Sequence, residues 1–181
     1  MNFKKFLICE RSDDVSYGCL MADLKASDRK KFKDFTDKHI DKSKLGEYGV
    51  EKECHVTVLY GFHKTVATDK IKEFVETYGA CELELGKVSK FSTDKYDVIK
   101  ITVNTPSLKA INKACIKEFG KSVTLTHGTS YRAHLTLAYV EKGSHDHLIG
   151  DKNFEGDTFP ITELTYSEAG DGKSKIQLKG E

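Results

Sequence analysis

The sequence has almost no excess of charge of either sign. Its 181 residues include 29 lysines and arginines against 28 aspartates and glutamates, which gives a net charge of +1. Proteins that bind long nucleic acids mainly through phosphates usually carry a basic excess or a basic tail. The composition therefore argues against a long nucleic acid as a partner, while a small nucleotide with a few phosphates remains compatible with it.

Long hydrophobic runs and the common nucleotide-binding motifs are missing as well. Residues 1–10 begin like a signal peptide, but their apolar run is too short, and no stretch approaches the roughly 20 apolar residues of a membrane span. The chain contains no Walker loop, no Rossmann glycine fingerprint and no serine-nucleophile elbow. We therefore expect a cytoplasmic protein with no membrane partner.

The cysteines lack the pattern of a disulfide framework. Their number is odd, they are scattered along the chain, and most of them stand among apolar residues. This usage is typical of buried free thiols in a reducing cytosol. The five are Cys9, Cys19, Cys54, Cys81 and Cys115.

Two nearly identical tetrapeptides are the most informative feature of the chain. Residues 55–58 read His-Val-Thr-Val and residues 134–137 read His-Leu-Thr-Leu, and each opens a run typical of a buried strand. Since side chains alternate between the two faces of a strand, the histidine and the threonine share one face. Two such strands facing each other would place two imidazoles and two hydroxyls around one cleft. These groups are the minimum for phosphodiester chemistry without a metal ion.

The His-any-Thr triplet is a weak signal by itself, because it occurs four times, at His55, His63, His127 and His134. Only the triplets at 55 and 134 lie within alternating apolar residues. His63 stands between a glycine and a lysine, as at a strand end, and His127 precedes Gly128, which is typical of a turn. A single histidine on a strand is most often structural, but the matched pair favours a functional role.

The hydrophobic pattern predicts an α+β fold. Strands and helices follow in the order strand, helix, strand, helix, strand, strand, helix and three strands, without the strict alternation of a doubly wound sheet, so we expect mostly antiparallel sheet. The two histidine strands are 79 positions apart, and each follows a helix and a long loop. We therefore predict one domain over residues 1–181, with two pseudo-symmetric lobes and flanking helices around a central cleft. The predicted strands are 16–24, 55–62, 81–91, 96–103, 132–140, 159–167 and 173–178, and the predicted helix caps are Ser27, Thr68 and Thr105.

The paired motifs resemble those of the two-histidine (2H) phosphoesterase superfamily, whose members carry a His-x-Thr/Ser-x motif on each of two pseudo-symmetric lobes. The resemblance covers most of the chain in topology, and the two motifs carry it in residues. It implies that His55 and His134 are the catalytic pair and that Thr57 and Thr136 bind the phosphate.

Further segments look most like one branch, the phage anti-CBASS phosphodiesterases, which destroy cyclic oligonucleotide immune signals. These segments are residues 17–21, residues 48–61 and the late hairpin that ends at 171–173. The resemblance implies an aromatic residue at Tyr17 that stacks on a base and, for a phage-encoded chain, a location in the host cytoplasm. Cys54 departs from the proline expected before the first histidine, which affects the geometry of the loop and not the chemistry.

The chemistry can be argued from the side chains themselves. Phosphodiester cleavage needs a base for the attacking oxygen and an acid for the leaving oxygen, and histidine can serve as either near neutral pH. In a ribonucleotide the neighbouring 2′-hydroxyl attacks, a 2′,3′-cyclic phosphate forms, and water opens it with the roles exchanged. The threonine hydroxyls donate to the non-bridging oxygens. No cofactor or metal ion is required, and the sequence leaves open which histidine is the acid.

Three more residues are candidates for substrate binding, and each has a structural alternative. Arg132 stands two residues before the second motif and either holds a phosphate or is an ordinary surface arginine. Tyr17 either stacks on a base or belongs to the core. Glu163 either accepts from a base edge or is solvated. His145 and His147 suggest a metal site, but no third ligand is spaced near them, so we predict no metal.

From these observations we predict an enzyme, a metal-independent phosphodiesterase that hydrolyses cyclic di- or trinucleotides. The alternative enzyme acts on RNA, either opening 2′,3′-cyclic phosphate ends or cutting 2′-5′ linkages. The alternative from another class is a non-catalytic module that binds a nucleotide or RNA. The sequence fixes neither the nucleobase preference nor the oligomeric state.

Overall fold

The computed structural model describes residues 17–125, 130–169 and 172–180. Within these residues the chain forms three α-helices and nine β-strands. The helices are α1 (Ala26–His39), α2 (Thr68–Val75) and α3 (Pro106–Phe119). The strands are β1 (Gly18–Asp23), β2 (Leu45–Val50), β3 (His55–Phe62), β4 (Cys81–Ser92), β5 (Tyr96–Asn104), β6 (His134–Glu141), β7 (Thr158–Ile161), β8 (Glu163–Ser167) and β9 (Lys173–Gln177).

The described strands form one sheet in the order β7-β4-β5-β6-β3-β1-β8-β9, and β2 pairs with the end of β6. All of these strand pairs are antiparallel. The sheet divides into two halves of four strands, β7-β4-β5-β6 and β3-β1-β8-β9, which meet at the pairing of Val56 with Leu135. The predicted α+β fold with two pseudo-symmetric lobes is therefore confirmed, and the two histidine strands are the inner strands of the two halves.

One face of the sheet packs against the helices and forms the main hydrophobic core. Val56 and Leu135 at the junction are fully buried on this face. Helix α3 is tied to β3 by Asn112, whose Nδ2 donates to the carbonyl oxygen of Val58 at 2.7 Å. The buried helix residues recur at helical spacing and include Phe32, Phe35, Ile71, Val75, Leu108, Ile111 and Cys115.

One of the three predicted helix caps is confirmed and two are wrong. Thr105 caps α3, and its Oγ1 accepts from the backbone N–H of Leu108 at 3.4 Å. Helix α1 begins after Lys25, so Ser27 lies inside its first turn. Thr68 is likewise inside α2, and its hydroxyl donates to Glu168 from the neighbouring loop. Ser27 donates instead to its neighbour Asp28, and the partner of Thr68 lies 100 residues away, where sequence spacing does not reveal it.

Two strand predictions also need correction. The polar stretch before the first histidine contains a strand, β2, which pairs with β6. The predicted strand 159–167 is two strands, because β7 pairs with β4 in one half while β8 pairs with β1 in the other. Only Thr162 separates β7 from β8, so the sheet must curl until its two ends approach each other. A continuous alternation of apolar residues hides this change of partner.

The described residues also bear on the predictions about membrane spans and cysteines. No described helix is long and apolar enough to cross a membrane. Four cysteines lie among the described residues, and all four are free thiols. Some predictions fall outside the described residues. They concern residues 1–10, residue 16, the triplet 127–129 and the centre of the predicted turn at 170–171.

Candidate active site

The register at the junction brings the two sequence motifs together. Because β3 and β6 are antiparallel and Val56 pairs with Leu135, the register carries His55 opposite Thr136. By the same register Thr57 lies opposite His134. Val56 and Leu135 point into the core, so these four neighbours point to the other face of the sheet. We call His55, Thr57, His134 and Thr136 the quartet.

Strand β3 contains a bulge directly after its threonine. Thr57 pairs with Met21 of β1, whereas Leu59 pairs with Leu20, so Val58 is an extra residue on β3. Val58 and Leu59 are both buried in the core, which a regular alternation would not allow. The bulge therefore reverses the alternation of side chains from this point on.

Strand β6 contains a bulge at the corresponding position. Thr136 pairs with Lys100 of β5, whereas Ala138 pairs with Ile99, so Leu137 is the extra residue. Leu137 and Ala138 are both buried in the core.

The two bulges return a tyrosine to the face that carries the quartet. Tyr60 follows Thr57 by three residues, and Tyr139 follows Thr136 by three residues. Neither tyrosine belongs to the main core; each belongs to a small cluster of its own. The repeated unit is therefore His-x-Thr-x-x-Tyr, and the structure repeats its backbone as well as its sequence.

Both histidines are oriented in the same way by their own chain. His55 Nδ1 lies 2.7 Å from the carbonyl oxygen of Glu53, and His134 Nδ1 lies 2.9 Å from that of Arg132. A carbonyl oxygen only accepts, so Nδ1 is the nitrogen that donates its hydrogen in each ring. Nε2 is then the nitrogen that exchanges a proton with a substrate. Both residues are buried, with 9% of the surface of His55 and 8% of that of His134 exposed.

A tyrosine ties the two halves together beside the quartet. The hydroxyl of Tyr131, just before β6, donates to the carbonyl oxygen of Thr57 at 3.0 Å. Burial raises the pKa of the Tyr131 hydroxyl, which keeps it protonated and able to donate. This bond fixes the approach to the second motif against the backbone of the first.

Aromatic rings border the quartet in each half. Tyr17 packs edge-on against Tyr60 and lies near His63, both with ring centroids 5.9 Å apart. In the other half, Phe91 meets the ring of His134 at 4.9 Å and nearly at a right angle. Tyr17 is half-buried at the start of β1, so it has an aromatic neighbour and some exposed surface.

Arg132 lies next to the quartet, whereas Glu163 lies away from it. Arg132 is exposed and lines a cavity of about 600 Å³ next to the quartet. Glu163 lies on β8, two strands away from β3, and its carboxylate pairs with Lys175 and accepts from Gln177. The bond from Lys175 holds the pKa of Glu163 below its usual range. A base edge would have to compete with these partners.

His145 has a structural role. Its Nε2 accepts from the backbone N–H of Asp41 at 3.0 Å, so Nδ1 carries the hydrogen and faces the hydroxyl of Ser144 at 2.7 Å. Burial lowers the pKa of His145, which favours the neutral ring. Among the described residues no group of three or more histidine, cysteine, aspartate or glutamate side chains is placed to hold a metal ion.

Two charged residues beside the quartet were missed by the sequence analysis. Asp23 pairs directly with His55 across β1 and β3, and its carboxylate accepts from the hydroxyl of Thr165 at 2.6 Å. Lys100 pairs with Thr136 and is only 6% exposed. In sequence, Asp23 was visible as the one charged residue of β1, and Lys100 as a charged residue between two isoleucines of β5.

The chain matches the sequence model of one protein family, and its fold matches several solved structures. The sequence model of the 2′-5′ RNA ligase superfamily matches residues 32–164. No curated protein sequence matches the chain.

Several solved structures share the fold at low sequence identity. LigT of E. coli in its apo form has a TM-score of 0.62 and 16% identity, covering 91% of this chain and 95% of LigT. A structure described as a phosphoesterase has a TM-score of 0.62 and 17% identity, over 91% and 95% of the two chains. Usb1 of Kluyveromyces marxianus has a TM-score of 0.53 and 12% identity, over 90% and 98%. LigT has also been solved with 3′-AMP, and Usb1 with uridine monophosphate.

Proposed function

Since the chain belongs to the 2′-5′ RNA ligase superfamily, we propose that it is a two-histidine phosphodiesterase that cleaves small ribonucleotides by acid–base catalysis. The family match confirms the predicted resemblance to the 2H phosphoesterases, and phosphoester cleavage is the chemistry of that superfamily. We further propose that cyclic di- or trinucleotides are its substrates.

The quartet is the observation that carries this proposal. Two imidazoles and two hydroxyls lie on one face of adjacent strands, and a backbone carbonyl fixes the same tautomer in both rings. A phosphate bound between them would have a proton acceptor on one side, a proton donor on the other and a hydroxyl from each half. A purely structural role would not require this matched orientation.

The reaction has two steps. The neutral histidine takes the proton of the substrate's 2′-hydroxyl as its oxygen bonds to phosphorus. The bond from phosphorus to the 5′-oxygen breaks, and the protonated histidine gives its proton to that oxygen. Thr57 and Thr136 donate to the non-bridging oxygens, where negative charge builds. Water then opens the 2′,3′-cyclic phosphate, with the two histidines in exchanged roles.

The charges around the two histidines support one assignment of these roles. Asp23 is the cross-strand partner of His55, whereas Arg132 stands two residues before His134, at the entry to β6. A nearby carboxylate favours the imidazolium, and nearby cations favour the neutral ring. In the first step His55 is therefore the general acid and His134 is the general base.

Cyclic di- and trinucleotides are the first choice of substrate for two reasons. The net charge of +1 suits a small ligand better than a long one. Aromatic rings in both halves, Tyr17 with Tyr60 and Phe91 beside His134, offer stacking surfaces on the two sides of the quartet. A substrate with a base on each side of the scissile phosphate uses both.

RNA ends are the second candidate substrate. The observation in favour is that LigT and Usb1, which share the fold, have been solved with the mononucleotides 3′-AMP and uridine monophosphate. This enzyme would open 2′,3′-cyclic phosphates or cut 2′-5′ linkages with the same quartet. A non-catalytic binding module would retain the cleft and release its ligand unchanged.

A panel of substrates separates these functions. The purified protein is incubated with cyclic GMP-AMP, cyclic tri-adenylate, an RNA oligomer ending in a 2′,3′-cyclic phosphate and a 2′-5′-linked oligoadenylate, and the products are identified by mass spectrometry. Linear products from the cyclic oligonucleotides support our first choice. Turnover of the RNA substrates alone would show that the protein acts on RNA ends or 2′-5′ linkages. Binding without turnover would show that it is a binding module.

A further inference from the structure

A cavity of about 600 Å³ lies beside the quartet in the half that carries His134. Strands β4 and β5 form its floor, the first turn of α3 forms one wall, and residues 131–133 form another. The volume is in the range of sites that hold a drug-sized ligand, and so suits a nucleotide. None of the quartet residues lines it, so it is a neighbouring site.

Three positively charged side chains, in addition to Lys90, line the cavity. Lys100, Lys109 and Arg132 line it, and within residues 17–125, 130–169 and 172–180 no carboxylate forms an ion pair with any of them. Lys90 also lines the cavity, but Asp97 and Asp146 neutralise it. The charge that remains favours an anion.

Lys100 is the most informative of the three. Its ammonium donates to Ser89 at 2.9 Å and lies 4.1 Å from the ring centre of Phe91, so the side chain extends away from β6 towards β4. Burial, with the nearby charge of Arg132, lowers the pKa of Lys100 to about 8. A buried cation without a counter-ion is costly, and a chain that only needed to pack this position would use an apolar residue.

We propose that this cavity binds a second phosphate group of the substrate, next to the phosphate that is cut, through Lys100, Lys109 and Arg132. The protein then selects nucleotides that carry at least two phosphates, and Phe91 contacts the nucleoside between them. The identity of the neighbouring phosphate as the scissile one rests on the proposed function, whereas anion binding in the cavity does not.

Binding of unreactive dinucleotides tests the cavity directly. The probes are the deoxydinucleotide dApdA and the same compound with an added 5′- or 3′-phosphate, which lack the 2′-hydroxyl needed for cleavage. Dissociation constants are measured by calorimetry for the wild type, for Lys100→Met and Arg132→Gln, and for Lys95→Met. Lys95 is an exposed lysine in the turn after β4, outside the cavity, and serves as the control.

We expect one of the terminal phosphates to raise the affinity of the wild type by about 10-fold or more, as a charge-assisted contact does. Lys100→Met and Arg132→Gln should each remove most of this increment, and Lys100→Met should leave the affinity for unphosphorylated dApdA unchanged. Lys95→Met should retain the increment. The proposal is overturned if neither phosphate raises the affinity, or if Lys100→Met weakens all three ligands equally.

Turnover of the ribodinucleotide ApA by the same preparations reports separately on the proposed function. A phosphate increment that depends on Lys100 supports the cavity even when ApA is not cleaved. Cleavage of ApA without any increment overturns the cavity and leaves the proposed function standing.

Discussion

His55 and Thr136 lie opposite each other across the junction of β3 and β6, as do Thr57 and His134. The pair Val56 and Leu135 is therefore a local centre of two-fold symmetry. Each threonine of the quartet is placed beside the histidine of the other half, so a phosphate bound there contacts groups from both halves. The site exists only when both halves of the sheet are assembled.

The threonine hydroxyl at this junction should act mainly in the transition state. Replacing Thr136 by valine keeps its shape and removes its donor, so we expect kcat to fall by about 10²–10³ with a smaller change in KM. Thr136→Ser keeps the hydroxyl and should retain most of the activity. Steady-state kinetics of the two variants check this. Activity retained in Thr136→Val but lost in Thr136→Ser would mean that the methyl group, not the hydroxyl, matters.

Asp23 should set the pH range of the general acid. In Asp23→Asn the imidazolium of His55 loses the carboxylate beside it and releases its proton more easily. The alkaline limb of the kcat/KM profile should therefore move to lower pH. Asp69→Asn, at an exposed position in α2, is the control and should leave the profile unchanged. An unchanged limb in Asp23→Asn, or a shift to higher pH, would contradict the assignment of His55 as the acid.

Lys100 should lower stability in a pH-dependent way. Its pKa is lowered from 10.5 to about 8 on folding, so the cost of burying the charge is present in full below pH 8. Between pH 8 and 10.5 the folded protein has released the proton while the unfolded chain still holds it, so that cost is progressively relieved as the pH rises.

Lys100→Met should accordingly raise the free energy of unfolding at pH 7 by about 1–3 kcal/mol. Its advantage over the wild type should shrink as the pH rises from 8 to 10.5. Denaturant unfolding at pH 7 and pH 10 measures both effects, with Lys95→Met as a control expected within about 0.5 kcal/mol of the wild type. A variant less stable than the wild type at pH 7 would show that Lys100 supports the fold instead.

The 2′-hydroxyl route makes a prediction about the substrate. A cyclic ribodinucleotide should be cut, while its 2′-deoxy analogue should bind with similar affinity and remain intact, because only the attacking oxygen is missing. Mass spectrometry of the products and a competition assay with the deoxy analogue measure the two properties. Cleavage of the deoxy ring at a comparable rate would mean that water attacks the phosphate directly.

The sequence predicted the quartet because its signal is local. A histidine and a threonine two residues apart share a strand face whatever the partner strand is, and the aliphatic residues between them show which face is buried. The alternation of apolar residues likewise predicted the inner strands β3 and β6 and most of the other elements.

The features that the sequence did not predict depend on pairing between distant segments. The bulges at Val58 and Leu137 arise from the register against β1 and β5, so the sequence alone did not show that Tyr60 and Tyr139 return to the quartet's face. The change of partner at Thr162 is invisible for the same reason. The surroundings of Lys100 depend on the pairing of β4 with β5, which the sequence does not show.

We propose that His55 and His134 carry out the chemistry as a unit. The most direct test of this proposal is kcat/KM for the best substrate of the panel in excess EDTA, measured for the wild type, for His55→Ala, for His134→Ala and for the double variant. His63→Ala, at the end of β3 and outside the quartet, is the control.

We predict full wild-type activity in EDTA, near-normal activity in His63→Ala, and a loss of at least about 10²–10⁴ in each single variant. The double variant should be no worse than the singles, because the two residues act in the same step. Loss of wild-type activity in EDTA with recovery on adding a divalent ion, or substantial turnover by either single variant, would contradict the account.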